Sequence, residues 1–168
     1  MVNTFVECAK SQRSRNDSTR SILMMENEII KFRNILDDIQ WENMPIGFRD
    51  FPRGTCGDIS DILAEHLYAI GYADIQYICG RYNNATHAWL EINGTAVDVT
   101  ADQFPEISRK VLIQDPQLWH HKFTEEDRRK AGYLVFSGPA LEGLRSVHDE
   151  IDRLLGSDRN KLNRRIKV

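Results

Sequence analysis

The chain has 168 residues, 41% of them apolar and 28% charged, which suits one globular domain around one hydrophobic core. Its 22 Lys and Arg against 25 Asp and Glu give a net charge of -3, which excludes the basic surplus that a nucleic-acid interface needs. No apolar run approaches the roughly 18 residues of a membrane span, so neither nucleic acid nor membrane is an expected partner.

In chain order, the N-terminus "MVNTFVECAKSQRSR" lacks the apolar stretch of a secretory signal, and a cytoplasmic protein is expected. A secreted effector without a classical signal peptide also fits. Residues 1–20 read as a flexible polar arm. Next, Ile22, Met25, Ile29, Phe32, Ile35, Leu36 and Ile39 recur mostly every three or four residues, the pattern of an amphipathic helix. The Pro- and Gly-bearing "ENMPIGFRDFPRGT" reads as a loop. A second helix starts near Cys56 and stops at Gly71, with Ile59, Ile62, Leu63, Leu67 and Ile70 on one face.

"DIQYICGRY" then predicts a strand, and Asn83-Asn84 a turn into a hairpin closed at Asn93-Gly94. Beyond Phe104, "DPQLWHHKFTEEDRRKAG" reads as loop and short helix, and its "DRRK" run as a solvated face. "YLVF", from Tyr133 to Phe136, reads as a buried strand, and "PALEGLRSVHDEIDRLL" as the last helix. Residues 157–168 are expected to form a charged tail, leaving a single domain over 21–156. The sum is an α+β fold, helices packed on a small antiparallel sheet.

Three cysteines, Cys8, Cys56 and Cys79, form no close pair, which argues against both a disulfide framework and a Cys-rich zinc site. Cys56 stands out. With Thr55 as N-cap and Asp58 closing a capping box, it sits in the first helical turn. Free N–H groups and the helix dipole there favour thiolate, the nucleophilic form, and can donate to an oxyanion. Asp58 and Asp61 oppose this with negative charge, so a neighbouring imidazolium is needed. The alternative is a small apolar residue at a helix start. Cys79 reads as an inert core thiol.

The hairpin supplies the imidazole. A two-residue Asn93-Gly94 turn pairs residues whose numbers sum to 187, such as Ile92 with Thr95. Ala88, Leu90, Ile92, Val97 and Val99 then make the core face. His87, Trp89, Glu91, Ala96, Asp98 and Thr100 share the other, more polar face. His87 and Asp98 are diagonal neighbours, within reach of a hydrogen bond. Cys56 as nucleophile, His87 as base and Asp98 as orienting carboxylate meet the needs of thiol catalysis. Glu91 and, beyond the strand, Asp102 are lesser orienters. A solvated cross-strand His–Asp pair is the alternative reading.

A helix-borne Cys, "HAWLEI" and a strand ending "VDVT" together resemble the transglutaminase-like superfamily of papain-type cysteine enzymes. The match lies at Cys56, at His87, Ala88, Trp89 and Glu91, and at Asp98 and Thr100, within Gly54 to Phe104. The resemblance implies a papain-like core and acyl transfer through a thioester on protein or peptide substrates. Peptide or amide hydrolysis, glutamine deamidation and amine transfer all fall within it, and a non-catalytic binding module on the same fold is the rival. No cofactor or metal is implied. The Gln that papain-like enzymes carry shortly before the Cys is replaced by Asp50, so Gln40, Trp41 and Arg53 are the candidate second oxyanion donors. Trp89, Gly54 and Gly57 are candidates for the substrate cleft. His120 and His121 read as a surface loop, His66 as an exposed or boundary position, and His148 as part of an acidic helix face.

Overall fold

The structure, a computed structural model, describes residues 22–165, with side chains through residue 157. The expected arm over residues 1–20, Cys8 included, lies outside the described residues. Three helices and five strands are described: α1 (22–38), α2 (Cys56–Ala69), α3 (Gly138–Arg165), β1 (Ile75–Tyr82), β2 (Ala85–Ile92), β3 (Thr95–Asp98), β4 (Leu112–Gln114) and β5 (Thr124–Lys130). The architecture is α+β, and the sheet is antiparallel throughout in the order β4-β3-β2-β1-β5. Among the described residues, no helix is long and apolar enough to cross a membrane.

The helices form because their apolar residues repeat at helical spacing and have a common core to enter. Ile29, Phe32 and Leu36 of α1 meet Ile59, Ile62 and Leu67 of α2 and Val147 and Ile151 of α3, all buried together. Gly71 ends α2 as the sequence indicates: its N–H and that of Tyr72 close onto the carbonyls of Tyr68 and Leu67. Helix α3 runs through Arg165, past the point where a tail was expected.

The helices cover one face of the sheet, where Ile75, Leu90, Ile92 and Val97 join the same cluster. The opposite face is also covered. Ile78, Trp89, Ala96 and Leu112 pack under Ala101, Trp119 and Phe123, which come from the irregular stretch after β3. The sheet is therefore a buried middle layer, and the face that reads as polar in sequence is closed by an aromatic roof.

Three assignments after Phe104 differ from the sequence reading. "YLVF" is a 3-10 turn, Tyr133–Val135, that buries Tyr133 and leaves Leu134 61% and Val135 75% exposed. The charged run expected to be loop and short helix is strand β5. Its partner β1 supplies the ladder, and ion pairs such as Arg81 with Glu126 and Arg128 with Glu91 supply the cross-links. Charge on such an edge strand blocks pairing with other chains. The short edge strand β4 has no counterpart in the sequence reading.

Gly80 fixes how closely the roof approaches. It lies where the β1–β5 register shifts, and a Cβ there would stand 2.8 Å from Phe123 Cβ and 3.1 Å from the Thr124 carbonyl oxygen. Gly80→Ala should therefore destabilise the fold by about 1–3 kcal/mol through overpacking. Urea unfolding should show a lower midpoint at unchanged slope. An unchanged midpoint would mean that the roof yields freely.

Candidate active site

Cys56 opens α2 and is half-buried. Thr55 occupies the N-cap position, but no side-chain cap bond forms: its hydroxyl donates instead to the Pro52 carbonyl at 3.1 Å. The capping box expected from Thr55 and Asp58 is thus absent, and Thr55 does not occupy the first-turn N–H groups. The two acidic residues also oppose a thiolate less than their charges suggest. Asp61 is bound by both terminal nitrogens of Arg129, at 2.9 and 2.7 Å, and accepts from the Gly132 N–H. Burial, together with the charge of Asp61, raises the Asp58 carboxyl above its ordinary value.

The hairpin forms in the expected register, with Ile92 opposite Thr95, Glu91 opposite Ala96 and Leu90 opposite Val97. Asn93 at φ 51° and Gly94 at φ 76° make the turn that this register needs, since both central residues require positive φ. Where β3 ends, His87 Nε2 of β2 lies 2.6 Å from Asp98 Oδ2, and both side chains are fully buried. A carboxylate only accepts, so the proton is on Nε2 and Nδ1 faces away from Asp98. The Cys56 thiol interacts with this imidazole and with the backbone of Ala88, the next residue on β2.

Asp98 accepts four hydrogen bonds. Oδ2 takes His87 and, at 3.1 Å, His120 Nε2; Oδ1 takes the Thr100 N–H at 2.9 Å and the Thr100 hydroxyl at 3.2 Å. Burial would raise its carboxyl, but the charge of His87 and the hydrogen bonds from both histidines outweigh that and hold it well below the usual carboxylate range. Burial likewise depresses His87, yet the Asp98 charge and hydrogen bond, helped by Cys56, raise it to about 9. For Cys56, burial pushes the thiol up, and the hydrogen bond and charge of His87, with the Ala88 backbone, bring it below its ordinary value. Each of the three is held toward its charged form.

The roof rules out the solvated cross-strand pair. The His87 ring is edged by Phe104 at 4.9 Å and Trp119 at 5.9 Å and lies near Phe123 at 5.5 Å. His120 corrects the sequence reading most sharply. Expected on a surface loop, it is 2% exposed, because Trp119 and Phe123 on either side are both core residues of the roof. Those two flanking aromatics were the available signal. His121 does remain exposed. Gln103 was also missed: its Nε2 lies 3.2 Å from His87 Nδ1 and 2.9 Å from the Thr100 carbonyl. Its place in "TADQF", one turn past Asp98, was the only hint.

The remaining candidates divide. Trp89 is buried beside His87 and His120, as part of the roof cluster. Gly57 adjoins the Tyr77 hydroxyl, 2.9 Å from where its Cβ would be, and Gly54 has open space around it. Trp41 gives its indole N–H to the Leu36 carbonyl and stacks on Phe51, so it is committed to the core. Gln40 accepts from Asn43, and both it and Arg53 are exposed. Glu91 pairs with Arg128, and Asp102 with the buried Arg33, so neither orients His87. His66 is buried against Phe32, because α1 covers that side of α2. His148 meets the Tyr133 hydroxyl at 2.6 Å. Cys79 is half-buried rather than in the core, and burial, with the Cys56 thiolate, keeps its thiol protonated.

His87, Asp98 and His120 bring three potential metal ligands within 4.8 Å of one another. Two ligands of a tetrahedral zinc, each about 2.0–2.2 Å from the ion, stand more than about 3 Å apart. The 2.6 Å separation of His87 and Asp98 is instead that of a charge-assisted hydrogen bond. Compared with protein-family models, curated proteins and solved structures, the chain matches none.

The coupling of His87 to Asp98 has a measurable sign. The carboxylate stabilises the imidazolium, so Asp98→Asn should make His87 lose its proton at lower pH, by about one to three units. Imidazole NMR titration reads this directly. A titration unmoved by the substitution would show that Asp98 does not control the base.

Proposed function

We propose that the chain is a cysteine-dependent acyl-transfer enzyme of transglutaminase-like type that hydrolyses amide or peptide bonds through a thioester on Cys56. One observation carries this reading: the Cys56 thiol interacts with a buried imidazole whose Nε2 lies 2.6 Å from a buried carboxylate. A structural cysteine has no use for a base held in that state. The sequence resemblance supports the same assignment of roles.

In this mechanism His87 Nδ1 takes the thiol proton, and Cys56 Sγ attacks the carbonyl carbon of a protein or peptide substrate. First-turn N–H groups of α2, not engaged by the Thr55 side chain, are placed to receive the oxyanion. The tetrahedral intermediate collapses with cleavage of the C–N bond, and the leaving nitrogen takes the proton from Nδ1. Water then gives a proton to Nδ1 and its oxygen to the acyl carbon. The C–S bond breaks, leaving a carboxylic acid and the thiol. An amine in place of that water gives the transfer reaction, and a glutamine side chain as donor gives deamidation.

The first test is alkylation of the folded full-length chain. Iodoacetamide should modify Cys56 at pH 6–7 faster than Cys79 and faster than a free thiol, whose ordinary value is about 8.5. Inert Cys56 beside a reacting Cys8 would favour the binding-module reading. The second is turnover: against a proteome-derived peptide mixture, Cys56→Ala should lose cleavage or deamidation by a factor on the order of 10⁴ or more. Products that appear equally with the variant would overturn the assignment of the nucleophile.

A further inference from the structure

Nδ1 of His87 is the nitrogen that the proposed mechanism uses, and Cys56 is not its only neighbour. The Gln103 amide nitrogen stands 3.2 Å away. The orientation of that amide follows from its second contact. The same nitrogen lies 2.9 Å from the Thr100 carbonyl oxygen, which can only accept, so the NH₂ end faces inward. The flipped amide would set oxygen against oxygen. One N–H therefore goes to Thr100 and the other points at Nδ1.

We propose that Gln103 is a positioning residue that donates to the bare Nδ1 of neutral His87 and must release it whenever Nδ1 takes a proton. Asp98 and Gln103 then hold the imidazole from opposite ends, one accepting from Nε2–H and the other donating to Nδ1. The two act in opposite directions on the base. Asp98 favours the imidazolium; Gln103 favours the neutral ring, and while it donates it occupies the Nδ1 lone pair that would take the thiol proton. A protonated Nδ1 would face an N–H that has no lone pair to offer.

The residue is held there by more than its own bonds. It closes the 3-10 turn Ala101–Gln103, and its neighbour Asp102 is bound by Arg33 of α1 at 2.8 Å. Arg33 is 2% exposed, so this anchor is itself fixed in the core. The turn thus ties the helical layer to the ring of the base. The titratable groups that face His87 are Cys56 from α2, Asp98 at the end of β3 and His120 from the turn over the sheet. Gln103 is the uncharged polar side chain among them.

The contact itself does not depend on the enzymatic reading, although its mechanistic meaning rests on it. The experiment is NMR titration of His87 in the full-length chain carrying Cys56→Ala, which removes the coupled thiol, with and without Gln103→Met. Methionine keeps the length of the side chain and removes the donor. Loss of a single hydrogen bond to the neutral ring should raise the pH at which His87 deprotonates by about half to one unit. Gln103→Ala should raise it similarly, because the donor and not the packing is responsible. A titration unchanged or lowered in Gln103→Met would overturn the proposal, as would a shift seen with alanine and absent with methionine. Failure of Cys56 to alkylate in the chain that retains it would instead remove the enzymatic reading and leave this shift in place.

Discussion

The buried carboxylate of Asp98 is the constraint on which the site depends. An ionised carboxylate in an apolar interior costs several kcal/mol unless its lone pairs are met. Asp98 meets them with four donors from three places: His87 on β2, Thr100 just past its own strand, and His120 on the turn that lies over the sheet. Removing any one of these segments would leave a lone pair of the buried charge unmet. The carboxylate therefore fixes the roof to the sheet as firmly as it orients the His87 imidazole.

The roof in turn makes the electrostatics effective. Trp89, Trp119, Phe123 and Phe104 exclude water from the His87 ring, and in that medium the charge of Asp98 is screened far less than it would be at a surface. Burial alone would push His87 toward neutrality, but it is outweighed because the carboxylate is buried in the same place and in contact. The roof is made of irregular chain, and its shape comes from anchors: Arg33 to Asp102 behind the turn after β3, and His120 to Asp98 in front.

What was legible in the sequence was local. Period-3.6 spacing gave α1 and α2, and period-2 alternation around Asn93-Gly94 gave a register in which His87 and Asp98 must share a face. The roof was not legible, because its burial is a tertiary effect on segments with no periodicity of their own. His120 sits between a Lys, a His and two aromatics, and nothing in that neighbourhood tells a loop from a lid. Strand β5 failed for a related reason. "TEEDRRK" has no apolar alternation, since an edge strand over a filled sheet needs only a ladder partner and ion pairs. "YLVF" failed in the other direction, its apolar residues being spent on a turn. The capping box misled because Thr55 had a nearer partner in Pro52.

One geometric question ties the site to the fold: how a cysteine from the helical side of the sheet meets a histidine whose side chain points into the roof. Ala88, whose backbone acts on the Cys56 thiol, shares the face of β2 that carries Leu90 of the helical cluster, and His87 beside it shares that of Trp89. The edge of β2 toward β1 is laddered along its whole length, from Ile75↔Ile92 to Tyr82↔Ala85. On the β3 side the ladder ends at Leu90↔Val97, so His87 and Ala88 lie beyond it. What ends β3 is the turn in which Asp98 Oδ1 accepts from the Thr100 N–H two residues on, a side chain taking over the role of a strand partner. Asp98 thus both closes β3 and meets the His87 imidazole beyond the last β2–β3 pair, on the stretch of β2 whose residues His87 and Ala88 act on Cys56.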